Sequence, residues 1–243
     1  MEKYIPKIIH YCWFGKRDKP KLIKKCINSW KNTLDDYEII EWNEENFDIN
    51  SNNFVKRAYE IGNYAFVSDY VRVYALYNYG GIYLDTDVEV IKKFDRLLEN
   101  ESFWGFEEEN YIATSTIGCK KGNRIIKEFL DRYHDKANRE SNKILDGETN
   151  VSIVTQLFET KGIRLDGSYQ EIKGECTIYP QVFFSPYDYI NCFSKKSDDT
   201  YTIHYFYKSW LPIKTRINGS IKKILSKIIG GENIKKIRIK LRG

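Results

Sequence analysis

Residues 64–87 constrain this 243-residue chain more than any other stretch. From Tyr64 to Tyr79 the apolar positions Ala65, Val67, Tyr70, Val71, Tyr74, Ala75 and Leu76 follow a helical rather than an alternating period. Gly80-Gly81 ends that pattern, as glycine does where a helix closes in a left-handed turn. Ile82-Tyr83-Leu84 then reads as a short strand, and Asp85-Thr86-Asp87 stands at its end. In an open α/β sheet, ligands collect beyond the carboxyl ends of strands, so these two acids are placed for chemistry.

The preceding sequence supplies a sheet for that strand to join. Ile5 to Phe14 is a short apolar run closed by Gly15, and Tyr37–Trp42 reads as a second strand. Between them, Pro20 to Trp30 predicts a helix with Leu22, Ile23, Cys26, Ile27 and Trp30 on one face, and after the second strand Asn53–Ile61 predicts another. A β-α-β-α order favours a parallel sheet with helices on both faces. Further on, the pattern predicts a strand at 88–90, one or two strands within 103–119, helices at Arg124–His134 and Val151–Thr160, and extended chain at 176–189 and 201–206. No repeat or low-complexity linker interrupts it.

Charge divides the chain unevenly. The net charge is +5, yet residues 214–243 hold ten Lys/Arg against Glu232 alone, which leaves residues 1–213 at −4. The expected organisation is one domain over 1–213 and a basic amphipathic appendage over 214–243. In that appendage Ile221, Ile224, Leu225, Ile228 and Ile229 share one face, with Lys222, Lys223 and Lys227 opposite. Such a segment suits an anionic membrane surface, or docks on the domain by its apolar face. A nucleic-acid partner is disfavoured by the acidic body and by the lack of a basic groove interleaved with aromatics. The five cysteines are odd in number and lack C-x-x-C spacing, which argues against a disulfide framework and a four-thiolate zinc site. With no secretory leader read at the start and no apolar span of 18 residues, the expected location is cytoplasmic, with peripheral association at the inner face of the membrane.

Two carboxylates one residue apart can hold a divalent cation through oxygen. An Asp-x-Asp alone is weak, because a chain with 15 Asp produces one by chance and a solvated loop explains it equally. Asp69 and Arg72 strengthen it: three residues apart on the preceding helix, they project from one face toward a polar cleft. The combined stretch Ala65–Asp87, with Ile5–Gly15 before it, resembles the signature of the DxD-containing sugar transferases of glycosyltransferase family 32, which include bacterial capsular polysaccharide enzymes. His204-Tyr205-Phe206-Tyr207-Lys208-Ser209-Trp210 is similar to that family's C-terminal His-x4-Ser-Trp element, with Tyr205 where a second His often stands.

The resemblance implies a GT-A type, single-domain nucleotide-sugar-binding α/β fold with a mostly parallel central sheet. It implies that Trp13 stacks on the nucleobase, that Asp69 and Arg72 hold donor hydroxyls and phosphate, and that Tyr83 lies on the ribose side. Asp87 would ligate Mn²⁺ or Mg²⁺ directly, while Asp85 would bind hydroxyls and reach the metal through water. His204, Ser209 or both would complete the metal and diphosphate site, with Trp210 closing over the leaving phosphate. Each has a plainer reading: Trp13 as a core aromatic, His204 as a satisfied structural histidine, Ser209-Trp210 as packing; His10 is assigned to structure. The implied activity is retaining transfer of a hexose or N-acetylhexosamine from a UDP-sugar to a growing, lipid-linked surface polysaccharide. GDP-mannose as donor, or a binding protein without turnover, are the alternatives. Glu107–Asn110 and residues 146–152 are candidates for the acceptor cleft, and Tyr179-Pro180 and Phe183–Pro186 for core packing.

Overall fold

The computed structural model describes residues 4–108, 111–138, 149–188 and 193–207. Ser209, Trp210 and the whole basic segment 214–243 lie outside the described residues, as do Glu109 and Asn110. In chain order the elements are β1 (Ile8–Cys12), α1 (Lys21–Thr33), β2 (Glu38–Trp42), α2 (Asn53–Glu60), α3 (Tyr64–Tyr79), β3 (Gly81–Leu84), β4 (Val88–Val90), β5 (Ser102–Glu108), β6 (Tyr111–Ile112) and β7 (Thr116–Cys119). There follow α4 (Arg124–Ala137), α5 (Asn150–Thr160), β8 (Gln170–Ile172), β9 (Cys176–Tyr179), α6 (Gln181–Phe184), β10 (Tyr187–Asp188), β11 (Phe193–Ser194) and β12 (Thr202–His204).

The main sheet has the order β2-β1-β3-β7-β5-β9-β8, with β6 on β5. β1 lies parallel between β2 and β3, with His10 opposite both Ile40 and Tyr83. β7 runs antiparallel to β3 and β5, and β9 is parallel to β5. Five of the eight strands, β1, β2, β3, β5 and β9, therefore share one direction. The sheet is mixed but mostly parallel. The end where β1 and β3 finish is the edge at which Trp13 and Asp85 emerge.

Side-chain alternation assigns the two faces. Ile82 and Leu84 of β3 point to the face covered by α1, where Ile23, Ile27 and Trp30 pack with Phe94, Phe103 and Phe184. Tyr83 points the other way, toward the layer of α2, α3, α4 and α5, whose core includes Val67, Val71, Ile126, Phe129 and Phe158. The stripe Ile23, Cys26, Ile27, Trp30 recurs at three and four residues, which is why α1 buries one side only. Asn52 caps α2 by accepting from the backbone N–H groups of Phe54 and Val55.

The glycine pair does more than end α3. Both residues have positive φ, +68° at Gly80 and +95° at Gly81. A Cβ at Gly81 would lie 2.7 Å from the Ile8 carbonyl oxygen, so β3 approaches β1 only because none is there. His10 locks the turn: its Nε2 donates to the Gly80 carbonyl at 2.8 Å, while its Nδ1 accepts from Trp42 Nε1 at 3.2 Å. The ring is therefore neutral, and burial brings its pKa down to about 4. His10 is structural, as expected.

Two expectations are corrected. The stretch 176–189 is not continuously extended, because Pro180 starts a single helical turn over Gln181–Phe184. The carbonyls of that turn are taken by the following segment: Thr200 Oγ1 donates to Val182, the Tyr201 N–H to Phe183 and Thr202 Oγ1 to Phe184. Residues 102–119 hold three strands rather than one or two, and Gln170–Ile172 adds an edge strand that the sequence pattern missed. The strand expected at 88–90 is present as β4, and it pairs antiparallel with β12 in a separate two-stranded sheet. Among the described residues no helix is long and apolar enough to cross a membrane.

Candidate active site

The pairing of β4 with β12 decides the site. It sets His204 opposite Val88, one residue beyond Asp87. Backbone bonds fix the turn that carries the acids: the Asp85 N–H donates to Ser115 O at 2.9 Å and the Val88 N–H to Asp85 O at 3.0 Å. The Tyr205 N–H donates to Asp87 O at 3.1 Å, and the Tyr207 N–H donates to Asp87 Oδ2 at 2.7 Å. Asp85, Asp87 and His204 each offer a ligand atom, and these atoms lie within 4.8 Å of one another. Two residues separated by one position at a strand end and one 117 positions after the second thus converge on a single point.

The imidazole of His204 is incompletely satisfied. It is buried, its Nε2 stands 3.5 Å from Asp87 Oδ1, and its Nδ1 is buried with no hydrogen-bond partner. Burial works against its protonation, but Asp87 beside it holds the ring above the ordinary imidazole range, and Asp85 and Glu107 add to that. Burial also opposes ionisation of Asp87, yet His204 and the Tyr207 N–H keep its carboxyl below the usual range. A buried imidazole with one ring nitrogen unpartnered, grouped with two carboxylates within 4.8 Å, is a donor set that fits a divalent cation of the oxygen- and nitrogen-binding type.

On the sheet side, Arg72 organises the other acids. Its Nη2 lies 2.8 Å from Asp69 Oδ1 and 3.3 Å from Asp85 Oδ1, and its Nη1 donates to Thr114 O at 2.8 Å. The guanidinium carbon sits 4.6 Å from the centre of the Tyr83 ring, whose hydroxyl donates to Asp85 Oδ1 at 3.1 Å. Burial alone would lower the Arg72 pKa, but Asp85, Tyr83 and Asp69 outweigh it and raise it further. Burial pushes the Asp69 carboxyl up to about 6 against the pull of Arg72, so it stays ionised at neutral pH. A helix of period 3.6 puts residues 69 and 72 on one face, and β3 returns beneath that face to bring Asp85 within reach.

Three contributors escaped the sequence reading. Asn150, at the start of α5, donates to Asp69 Oδ1 at 2.6 Å. It lies inside the 146–152 stretch expected at the acceptor side, but nothing in its neighbourhood singled it out. Thr114 accepts from Arg72 Nη1 through its carbonyl and, at 3.3 Å, through its hydroxyl, while Tyr207 acts through its amide, and a backbone group leaves no side-chain signature to read. Trp13 stands at the carboxyl end of β1, half-buried, with Nε1 donating to Arg17 O at 2.6 Å and Lys19 Nζ 5.5 Å from its ring centre. The Asp69, Arg72, Tyr83, Asp85, Asp87 and His204 expected together are brought together. His134 lies exposed on α4.

Residues 20–104 match the family model described as a glycosyltransferase sugar-binding region containing a DXD motif. Inositol phosphoceramide mannosyltransferase 3 of Schizosaccharomyces pombe is 29% identical over 148 residues, covering 54% of this chain and 39% of that protein. Subversion of eukaryotic traffic protein A of Legionella pneumophila is 28% identical over 165 residues, covering 54% of this chain and 25% of that protein. The chain therefore spans well under half the length of the curated relatives it matches. Among solved structures, the PaToxG glycosyltransferase superposes with a TM-score of 0.51 at 19% identity, over 65% of this chain and 70% of that one. The matched segment contains Asp69, Arg72, Asp85 and Asp87, and the mixed α/β fold around them is that of the GT-A glycosyltransferases.

Proposed function

We propose that this chain is a metal-dependent glycosyltransferase that moves a hexose or N-acetylhexosamine from a nucleotide sugar to a hydroxyl acceptor. The observation that carries the reading is the convergence of Asp85, Asp87 and His204 at the end of β3, with the buried Arg72 bridging Asp69 and Asp85 beside it. Asp85, Asp87 and His204 would hold Mn²⁺ or Mg²⁺, whose charge would stabilise the departing diphosphate. Arg72 Nη2 and Asn150 Nδ2 both converge on Asp69 Oδ1, which leaves Oδ2 as the oxygen to accept from a donor hydroxyl. Asp85 is arranged alike, with Arg72 and Tyr83 both on Oδ1. Such fixed acceptors orient the sugar before reaction and need no reorganisation during it. Trp13 supplies a flat ring for the base at the same edge of the sheet.

The finer reading follows the family resemblance. UDP is the nucleotide and transfer proceeds with retention: the bond from the anomeric carbon to the diphosphate breaks, the acceptor oxygen bonds on the same face, and the leaving phosphate takes the acceptor's proton. The acceptor is a growing, lipid-linked surface polysaccharide. Ser209 and Trp210 would close over the diphosphate, and 214–243 would lie on an anionic membrane. GDP-mannose is the second donor to test, because a relative carries the name mannosyltransferase.

The test is nucleotide release from a panel of UDP- and GDP-sugars, with Mn²⁺ or with EDTA, comparing the wild type with Asp87→Asn. Slow release from one donor, abolished by EDTA and lowered at least about a hundredfold by the substitution, is expected. Donor binding by calorimetry accompanies it: absence of both binding and release across the panel overturns the reading.

A further inference from the structure

The exposed side of α1 carries a charge pattern that the transferase site does not use. Its outward positions are Lys21, Lys24, Lys25, Asn28, Lys31 and Asn32, and no acidic residue occurs anywhere in the helix. Residues 16–31 hold seven basic side chains against Asp18 alone, a net +6. Since residues 1–213 sum to −4, the rest of that domain stands at −10. The body is therefore strongly polar in its charge, with the positive end concentrated on one helix and the loop before it. Lys25 is paired with Glu89 at 2.9 Å and Lys19 with Glu41 at 2.8 Å. Lys21, Lys24 and Lys31 have no carboxylate partner among the described residues.

This face is shaped as well as charged. Lys21, Lys24, Lys25, Asn28, Asn32 and Glu89 line a shallow concavity of about 500 Å³. It opens beside the candidate site: Lys25 holds Glu89, Glu89 accepts from the Tyr205 hydroxyl, and the Tyr205 N–H donates to Asp87 O. We propose that the α1 lysine face is a docking surface for an anionic lipid membrane, recognising phosphodiester headgroups. Thirteen helical residues give a row about 20 Å long, the form that lies flat on a plane of headgroups. Lysine ammonium groups bind such a plane as point charges, and each near the surface strengthens binding several-fold. Bases would instead require aromatic platforms between the charges, and the exposed positions of α1 are lysine and asparagine only. A chain docked this way holds its site at the membrane edge, where a lipid-linked acceptor would reach it. That consequence rests on the function proposed above, but the docking itself does not.

The experiment uses the full chain and cosedimentation with phosphatidylcholine vesicles, with and without phosphatidylglycerol, at low and raised salt. Binding should require phosphatidylglycerol and weaken with salt. Lys21→Glu, Lys24→Glu and Lys31→Glu together should lower the apparent vesicle affinity at least about tenfold. None of these residues touches the candidate site. The first two place acid near a helix N-terminus, where it is favourable, so the melting temperature should hold. The triple Gln variant serves as a milder control with the same direction of effect. Unchanged binding by the folded Glu variant, equal binding to neutral vesicles, or binding to duplex DNA with none to vesicles would each overturn the proposal. Vesicle binding needs no turnover, so a protein inactive on every donor leaves this result intact.

Discussion

Replacing Arg72 by Met tests whether the buried ion network holds the site together. The Arg72 side chain is 6% exposed and stands between Asp69 and Asp85, at 2.8 and 3.3 Å. Removing it leaves two carboxylates facing each other and the Thr114 carbonyl without its donor. Breaking a buried pair from one side costs about 3–5 kcal/mol, because the partner charge remains. In a chain of this size that corresponds to a fall of roughly 6–20 °C in Tm. Urea unfolding should show it as a shift in midpoint at unchanged slope. The pH dependence gives a sharper signature. Asp69 has its folded pKa raised from 3.8 to about 6, so the native state binds more protons between those values and gains stability as pH falls through them. Without Arg72 that carboxyl is pushed higher, and the deficit of the variant should shrink between pH 7 and pH 5. Adding Asp69→Asn to Arg72→Met should recover about 2 kcal/mol at pH 7, a coupling of the size expected for residues in direct contact. A loss below about 1 kcal/mol, with no pH dependence and no rescue, would mean that the network is solvated and that Arg72 does not carry it.

Two other perturbations address the frame beneath the site. His10 is neutral when folded, with its pKa lowered from 6.5 to about 4, so the stability it contributes is complete above pH 6.5 and is lost as pH falls through 4, by about 3 kcal/mol in all. The difference in unfolding free energy between wild type and His10→Gln, followed from pH 7 to pH 4, isolates that group from the carboxylates; a difference independent of pH would refute it. Gly81→Ala should cost at least about 2 kcal/mol, from positive φ and from a Cβ at 2.7 Å from the Ile8 oxygen, and a neutral outcome in urea unfolding would count against the close approach of β3 to β1.

The first half of the fold was legible because its signals are local. The apolar run of β1, the stripe on α1, the helical period of α3 and the glycine pair each act within a few residues. The second half depends on pairing between distant segments. Nothing near Gln181 announces a helical turn, whose carbonyls are satisfied by Thr200, Tyr201 and Thr202. Nor does the sequence near Val88 reveal that its partner is β12 rather than the main sheet. The site divides the same way. Asp85 and Asp87 declare themselves by spacing at a strand end, and Asp69 and Arg72 by their place on one helix face. His204 was reached only through resemblance, since a single histidine among tyrosines has no spacing to read. Asn150, the Thr114 carbonyl and the Tyr207 amide enter through the tertiary fold alone.

Charge explains why these separate contributions belong to one site. Asp69, Asp85 and Asp87 bring three negative charges into a space mostly withdrawn from water, and Arg72 returns one. Protonation of His204, which Asp87 favours, offsets part of the remaining charge, and a bound cation would take the place of that proton. A protein interior does not hold such an excess without cost, since each uncompensated buried ion costs several kcal/mol. Hydrogen bonds from Tyr83, Asn150 and the Tyr207 amide spread the charge but do not cancel it. On the proposed function a divalent cation held by Asp85, Asp87 and His204 would balance that charge. Arg72 is placed away from that point, fixing Oδ1 of Asp69 and of Asp85, so each presents its other oxygen. On the proposed function Arg72 would balance charge on the sugar side of the site, and a cation would balance it on the diphosphate side.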